Sequence, residues 1–112
     1  MKALEARSLL KATLAPLGVP VKFRGEVLPT DAVHILVDIV FDQPIVTLTA
    51  SADDSITLFQ LGFWSRPPFS NASTSYDAAH PLLIAAGFLN VGPVNFTTQD
   101  NWNGIIADYE YT

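Results

Sequence analysis

Apolar residues recur along this chain with two different periods, and the switches between them divide it into elements. Between residues 2 and 17, Ala6, Leu9, Leu10, Thr13, Leu14 and Leu17 fall on one stripe at helical spacing. Lys2, Glu5, Arg7, Ser8 and Lys11 fall mostly opposite. The spacing predicts a helix over 2–17, disturbed at Pro16 and ended by Gly18 and Pro20. From residue 21 the period drops to two. Val21, Phe23 and Val27 alternate with Lys22, Arg24 and Glu26, which predicts a strand near 21–28 with a bulge at Gly25. Over 32–41, Val33, Ile35, Val37, Ile39 and Phe41 line one face, and His34, Leu36, Asp38 and Val40 the other. Asp42-Gln43-Pro44 is expected to interrupt this strand, and 45–49 to resume extended structure as one arm of a hairpin running to residue 64.

The strand over 55–64 is apolar on both faces, with Ile56 and Leu58 on one and Phe59, Leu61 and Phe63 on the other. It reads as a central strand covered on both sides. Pro67 and Pro68 lack the N–H that a ladder needs, so pairing must stop there. Residues 70–75 form a small-polar run read as a loop, with Ser73 to Ser75 as caps for a helix over about 75–86. Pro81 either kinks this helix or begins it. Gly87 suits the position just past its end, with Phe88 packing back on the last turn. A closing hairpin is expected, with arms 93–98 and 104–111, Asn103-Gly104 as its turn dipeptide and Trp102 in the loop. The order helix, strands, helix, hairpin predicts an α+β fold over 1–112 as a single domain. Its antiparallel sheet of about four to five strands would carry the N-terminal helix and the second helix on it.

Composition changes the picture in one respect. Of 112 residues, 49% are apolar and only 15% charged, which leaves little charge to coat a free monomer. The charge is also divided. Residues 1–24 carry Lys2, Arg7, Lys11, Lys22 and Arg24 against Glu5, a net of +4. Residues 25–112 carry Arg66 against ten acids, a net of -9. The split reads either as a solvated basic helix beside a solvated acidic sheet or as the basic end of one subunit meeting the acidic face of the next. An acidic body argues against nucleic-acid binding. There is no cysteine, so disulfide frameworks and thiolate metal sites are excluded. The N-terminal Met-Lys-Ala-Leu-Glu-Ala-Arg does not read as a secretory signal, no apolar run has membrane-spanning length, and a cytoplasmic product is expected.

Candidate chemistry is sparse. Asp77 and His80 stand three apart on the second helix, beside hydroxyls at Ser73, Thr74 and Ser75, but no Gly-x-Ser-x-Gly turn supports a nucleophile. His34 and Asp38 share a strand face about 13 Å apart, too far to share a metal ion. Asp53-Asp54 lacks the further oxygen ligands of a calcium loop. No catalytic residue, cofactor or metal is therefore expected, and the chain reads as a non-enzyme. Phe63, Trp64, Arg66, Phe69 and Trp102 are a different signal. Trp and Arg are the types that anchor interfaces, and these residues cluster at strand ends. Arg66, the only cation after residue 24, is expected to reach an acid on a neighbouring subunit. Lys2, Arg7 and Lys11 complete the candidate contact set.

Ile35-Leu36-Val37-Asp38-Ile39, Phe59-Gln60-Leu61-Gly62-Phe63-Trp64-Ser65-Arg66, Tyr76-Asp77-Ala78-Ala79, Leu82 to Phe88 and Asp108-Tyr109-Glu110-Tyr111 follow one another at intervals. In that order they resemble the tail terminators and tail-completion (neck) proteins of tailed bacteriophages. The resemblance implies a virion structural protein, made in the host cytoplasm. It would form a homo-oligomeric ring, usually six-fold, on the head-proximal end of the tail tube. Its partners would be the tail tube protein and the head-tail connector, with neither membrane nor specific nucleic acid. Two other classes fit the residues: a small ligand-binding domain with a pocket served by Tyr76, Asp77 and His80, and an adaptor that binds through the Trp64–Phe69 turn.

Overall fold

Helix α1 (Lys2–Leu14) forms where the apolar stripe lies, and Ala6, Leu10 and Leu14, one turn apart, are its fully buried positions. It tightens into a 3-10 turn at Ala15–Leu17, as Pro16 requires, and ends on Gly18 at φ 69°. The computed structural model describes residues 2–28, 33–44 and 55–111. Within them follow β1 (Val21–Phe23), β2 (His34–Pro44), β3 (Ser55–Ser65), α2 (Ser70–Ala85), β4 (Leu89–Gln99) and β5 (Trp102–Tyr111). The strands form one sheet in the order β1-β2-β3-β5-β4. The α+β class holds, and β3 is central.

The sheet is mixed rather than wholly antiparallel, because β1 pairs in parallel with β2, Val21 opposite Ile35. A parallel return was not expected without a long crossover. Here β1 has three residues, about 10 Å of chain, so a short return is enough. The strand expected over 21–28 stops at Phe23. The chain turns there, with the Glu26 N–H bonded to the Phe23 carbonyl and the Glu26 carboxylate accepting from the Phe23 N–H at 2.7 Å. Gly25, at φ 96°, is therefore part of a turn and not a bulge.

Asp42-Gln43-Pro44 does not interrupt β2. The strand pairs through Pro44 opposite Ser55, after an irregularity between Ile39 and Phe41. The hairpin partner of β3 is thus β2 itself, and the extended arm expected at 45–49 lies outside the described residues. Helix α2 starts at Ser70, five residues earlier than its capping residues suggest. Its first N–H groups find the carbonyls of Pro68 and Phe69, and Ala72, Ser75, Ala79 and Leu83 pack inward. Packing of that face overrides the weak helix preference of Ser, Asn and Thr. Pro81 sits within the helix on its exposed side, where water can satisfy the carbonyl left unpaired. Gly87 has φ 99°, and the Phe88 N–H returns to the Leu83 carbonyl, which places Phe88 in the core against Phe59.

The closing hairpin is tighter than expected. Gln99 pairs with Trp102, leaving the two-residue loop Asp100-Asn101, both at positive φ (50° and 63°). That is the geometry of a primed turn. Asn103 and Gly104 lie inside β5, and Trp102 is a strand residue, not a loop residue.

Alternation then decides the layers. Ile35, Val37, Phe59, Leu61, Phe63, Ile105, Ala107 and Tyr109 are buried beneath the helices. Their strand neighbours Leu36, Leu58, Gln60, Trp64, Ile106 and Asp108 point the other way and are partly or fully exposed. Among the described residues the helices cover one face of the sheet, so β3 is not covered on both sides as its apolar pattern suggested.

Candidate functional site: an aromatic groove on the open sheet face

Trp64 is opposite Gly104 on β5 and opposite His34 on β2. Its indole lies flat on the sheet because two neighbours have no side chain. A Cβ on Gly62 would stand 2.5 Å from the indole Nε1, and one on Gly104 would stand 2.6 to 2.9 Å from three atoms of its six-membered ring. The two glycines on adjacent strands form a bed that fixes this ring.

Next to it, Arg66 leaves β3 and lays its guanidinium 4.1 Å from the centre of the Trp102 ring, a cation–π contact. The same group donates to the Asp100 carbonyl at 3.2 Å and approaches that of Asn101 at 3.5 Å. It therefore ties the β4–β5 turn to the end of β3. His34, 3% exposed, meets Trp102 edge-on at 5.0 Å. Between these groups lies a cavity of about 390 Å³, with Leu28 and Leu36 completing its apolar wall and Gln99 and Asp100 its rim. The result is an aromatic surface bearing the Arg66 cation, suited to recognition by shape and stacking.

Three of the residues singled out in the sequence, Trp64, Arg66 and Trp102, are thus brought together. The others are not. Phe63 is the main correction: it is 0% exposed and packs edge-on against Tyr76 of α2, so it belongs to the core and not to a surface contact. Adjacent strand residues face opposite ways, so Phe63 and Trp64 cannot share a surface. Phe69 stands at the start of α2 beside Phe96, which is 67% exposed. Lys2 opens α1. Arg7 stacks over Phe23 and Lys11 is exposed, both on the helix layer. The Phe23 N–H holds the Glu26 carboxyl below its ordinary range against a smaller opposing effect of desolvation, with lesser help from Lys11, Lys22 and Arg7. Sequence reasoning missed His34, Gly62, Gly104 and Asp100 as parts of the groove. The even-numbered alternation of β2, β3 and β5 was a usable signal, but it needed the register.

The residues considered for acid–base chemistry sit elsewhere. His80 Nδ1 is 2.7 Å from the Tyr109 hydroxyl, and Tyr76 stacks beside it. Burial, and after it the neighbouring Tyr76, push the Tyr109 hydroxyl well above its ordinary value, so it stays neutral. Asp77 is exposed on the outer side of α2. Asp53 and Asp54 lie outside the described residues. Among the described residues no cluster of three His, Asp or Glu is placed to hold a metal ion, and no helix is long and apolar enough to cross a membrane.

His80→Ala removes a partner from a buried hydroxyl and is expected to lower stability by about 1–2 kcal/mol. Asp77→Ala should stay within about 0.5 kcal/mol. Denaturant titrations of the two variants check the difference; equal midpoints would remove the structural role given to His80.

No protein-family model matches the chain, and no curated protein does.

Proposed function

We propose that this chain is a non-enzymatic assembly subunit of a bacteriophage tail, forming a ring at the head-proximal end of the tail tube. There it stops tube growth and offers a surface to the capsid connector. The observation that carries the reading is the open sheet face with its preformed aromatic groove. A five-stranded sheet with helices on one side leaves Leu36, Trp64, Ile106 and Trp102 on the other, and a surface of that kind is normally occupied by a partner. The low charge content and the separation of basic and acidic regions support repeated contacts between copies. The order of elements, with an amphipathic helix before the sheet and a second helix before a closing hairpin, supports the phage assignment by resemblance.

A small-ligand role is the second reading, favoured by the cavity of about 390 Å³ beside Trp64 and Trp102, a size that suits compact ligands.

Imaging of the purified protein, alone and with tail tubes, tests the proposal directly. Rings, or caps on tube ends, are expected. Sedimentation adds a second check. Association should weaken between 0.1 M and 1 M salt, as the screening length falls from about 10 Å to about 3 Å. A monomer at every concentration and salt, with tube ends left bare, would overturn the proposal.

A further inference from the structure

The groove and the charge separation are joined by the layer arrangement. The open face combines apolar Leu36, Trp64 and Ile106 with acidic Asp108 and Glu110, and it also carries Arg66 in the groove and Asp38 paired with Arg24. Asp108 buries one carboxylate oxygen, Oδ1, that meets no donor among the described residues. On the opposite side of the molecule, α1 exposes Leu4, Ser8, Ala12 and Ala15 along one stripe, beside exposed Lys11. Apart from Leu4 the stripe consists of small residues, and its flanks carry Lys11 as well as Glu5. The sheet face is bulky, and its flank is acidic.

We propose that the open sheet face receives the exposed stripe of α1 from a second copy of this chain. The inference rests on the assembly reading above and names the two surfaces that meet. Charge selects this pairing over its rivals. Residues 1–24 carry a net +4 and residues 25–112 a net -9, so helix against helix or sheet against sheet brings like net charge together, and helix against sheet brings opposite net charge together. Like charges in a desolvated contact oppose association, and opposite charges favour it. Helix against sheet also buries the second face of the sheet, giving the helix-sheet-helix layering that an apolar strand such as β3 suits. Each copy then uses two different surfaces, so the contact is heterologous. It propagates from copy to copy and closes when the rotation between them divides a full turn.

The chain has no cysteine, which makes a clean cross-linking test available. Ala12 and Ser8 are exposed on α1, and Gln60 is exposed at the centre of the open face. Single variants Ala12→Cys and Gln60→Cys, treated with a short bismaleimide, should each remain monomeric on denaturing gels. Their equimolar mixture should give covalent dimers, and the double variant in one chain should give a ladder. Ser8→Cys should reproduce Ala12→Cys one turn away. Cross-linking of Gln60→Cys to itself would overturn the proposal in favour of a face-to-face pair. Assembly in sedimentation without any cross-link in the mixture would also overturn it, while leaving the ring reading intact. Absence of both assembly and cross-linking, alone or on tail tubes, would overturn both.

Discussion

Phe63→Ala should cost about 3–5 kcal/mol of stability, whereas Trp64→Ala, one residue on, should cost mainly association. Phe63 is fully enclosed, with its ring against Tyr76 and its strand neighbours Phe59 and Leu61 equally buried. Truncating it leaves a cavity in the core between sheet and α2. For a domain of this size that loss corresponds to a fall in melting temperature of roughly 10–20 °C. Trp64 is partly exposed, and its indole rests on glycines instead of being enclosed by side chains. Its loss uncovers two strands but opens no interior void, so a stability cost of about 1–2 kcal/mol is expected. Its effect on association should be about 2 kcal/mol or more, near 30-fold in the dissociation constant. Thermal melts beside sedimentation of each variant decide the matter. If Trp64→Ala fell in melting temperature as far as Phe63→Ala and its folded fraction still assembled, Trp64 would be a core residue.

What could be read from the sequence, and what could not, follows from range. Most of the inward set of β2 and β3 was visible because alternation is a property of the strand itself: Ile35, Val37, Phe59, Leu61 and Phe63 are buried as the pattern implies, whereas Ile39, assigned to the same face, is 42% exposed next to the irregularity in β2. The ending of α2 was visible for the same reason, since Gly87 and Phe88 act within one turn. The start of α2 was not. Ser70 to Ser75 have the side chains of a loop, and only contact of Ala72 and Ser75 with the core makes them helical. The Asp100-Asn101 turn was passed over for Asn103-Gly104 because both pairs accept the required backbone, and the choice falls to the register of β4 on β5.

The groove shows the same limit. Trp64, Arg66 and Trp102 stood out by residue type, yet Trp102 is 36 positions beyond Arg66 in the chain, and their stacking depends on β3 pairing with β5. His34 was weighed only against Asp38 on its own strand, where the spacing rules out shared chemistry. Its actual neighbours are Trp64 and Trp102, reached across strands. Phe63 was misplaced for the opposite reason: grouping aromatic residues by proximity in sequence ignores the alternation that sends neighbours to opposite faces.

Gly104→Val should remove the groove while leaving the fold in place. Glycine within a strand is normally a weak choice, and valine in its place is favoured by up to about 1 kcal/mol on strand preference alone. At this position the new Cβ would stand within 3 Å of three atoms of the Trp64 ring, and both its γ carbons would need further room. The indole must then leave the sheet surface. The preference of valine for strands offsets part of the lost contact, so the melting temperature should change little compared with Phe63→Ala. Association should fall by at least about 2 kcal/mol, as for Trp64→Ala, because the anchor is present but no longer placed. Gly62→Val should act alike, since its Cβ would meet the indole Nε1 and the end of Ile106. Indole fluorescence in a Trp102→Phe background, where Trp64 alone reports, gives the structural reading: a red shift is expected as the ring moves into water. Unchanged emission together with unchanged sedimentation would mean that the ring can sit elsewhere without consequence, and that the glycine bed does not set the contact surface.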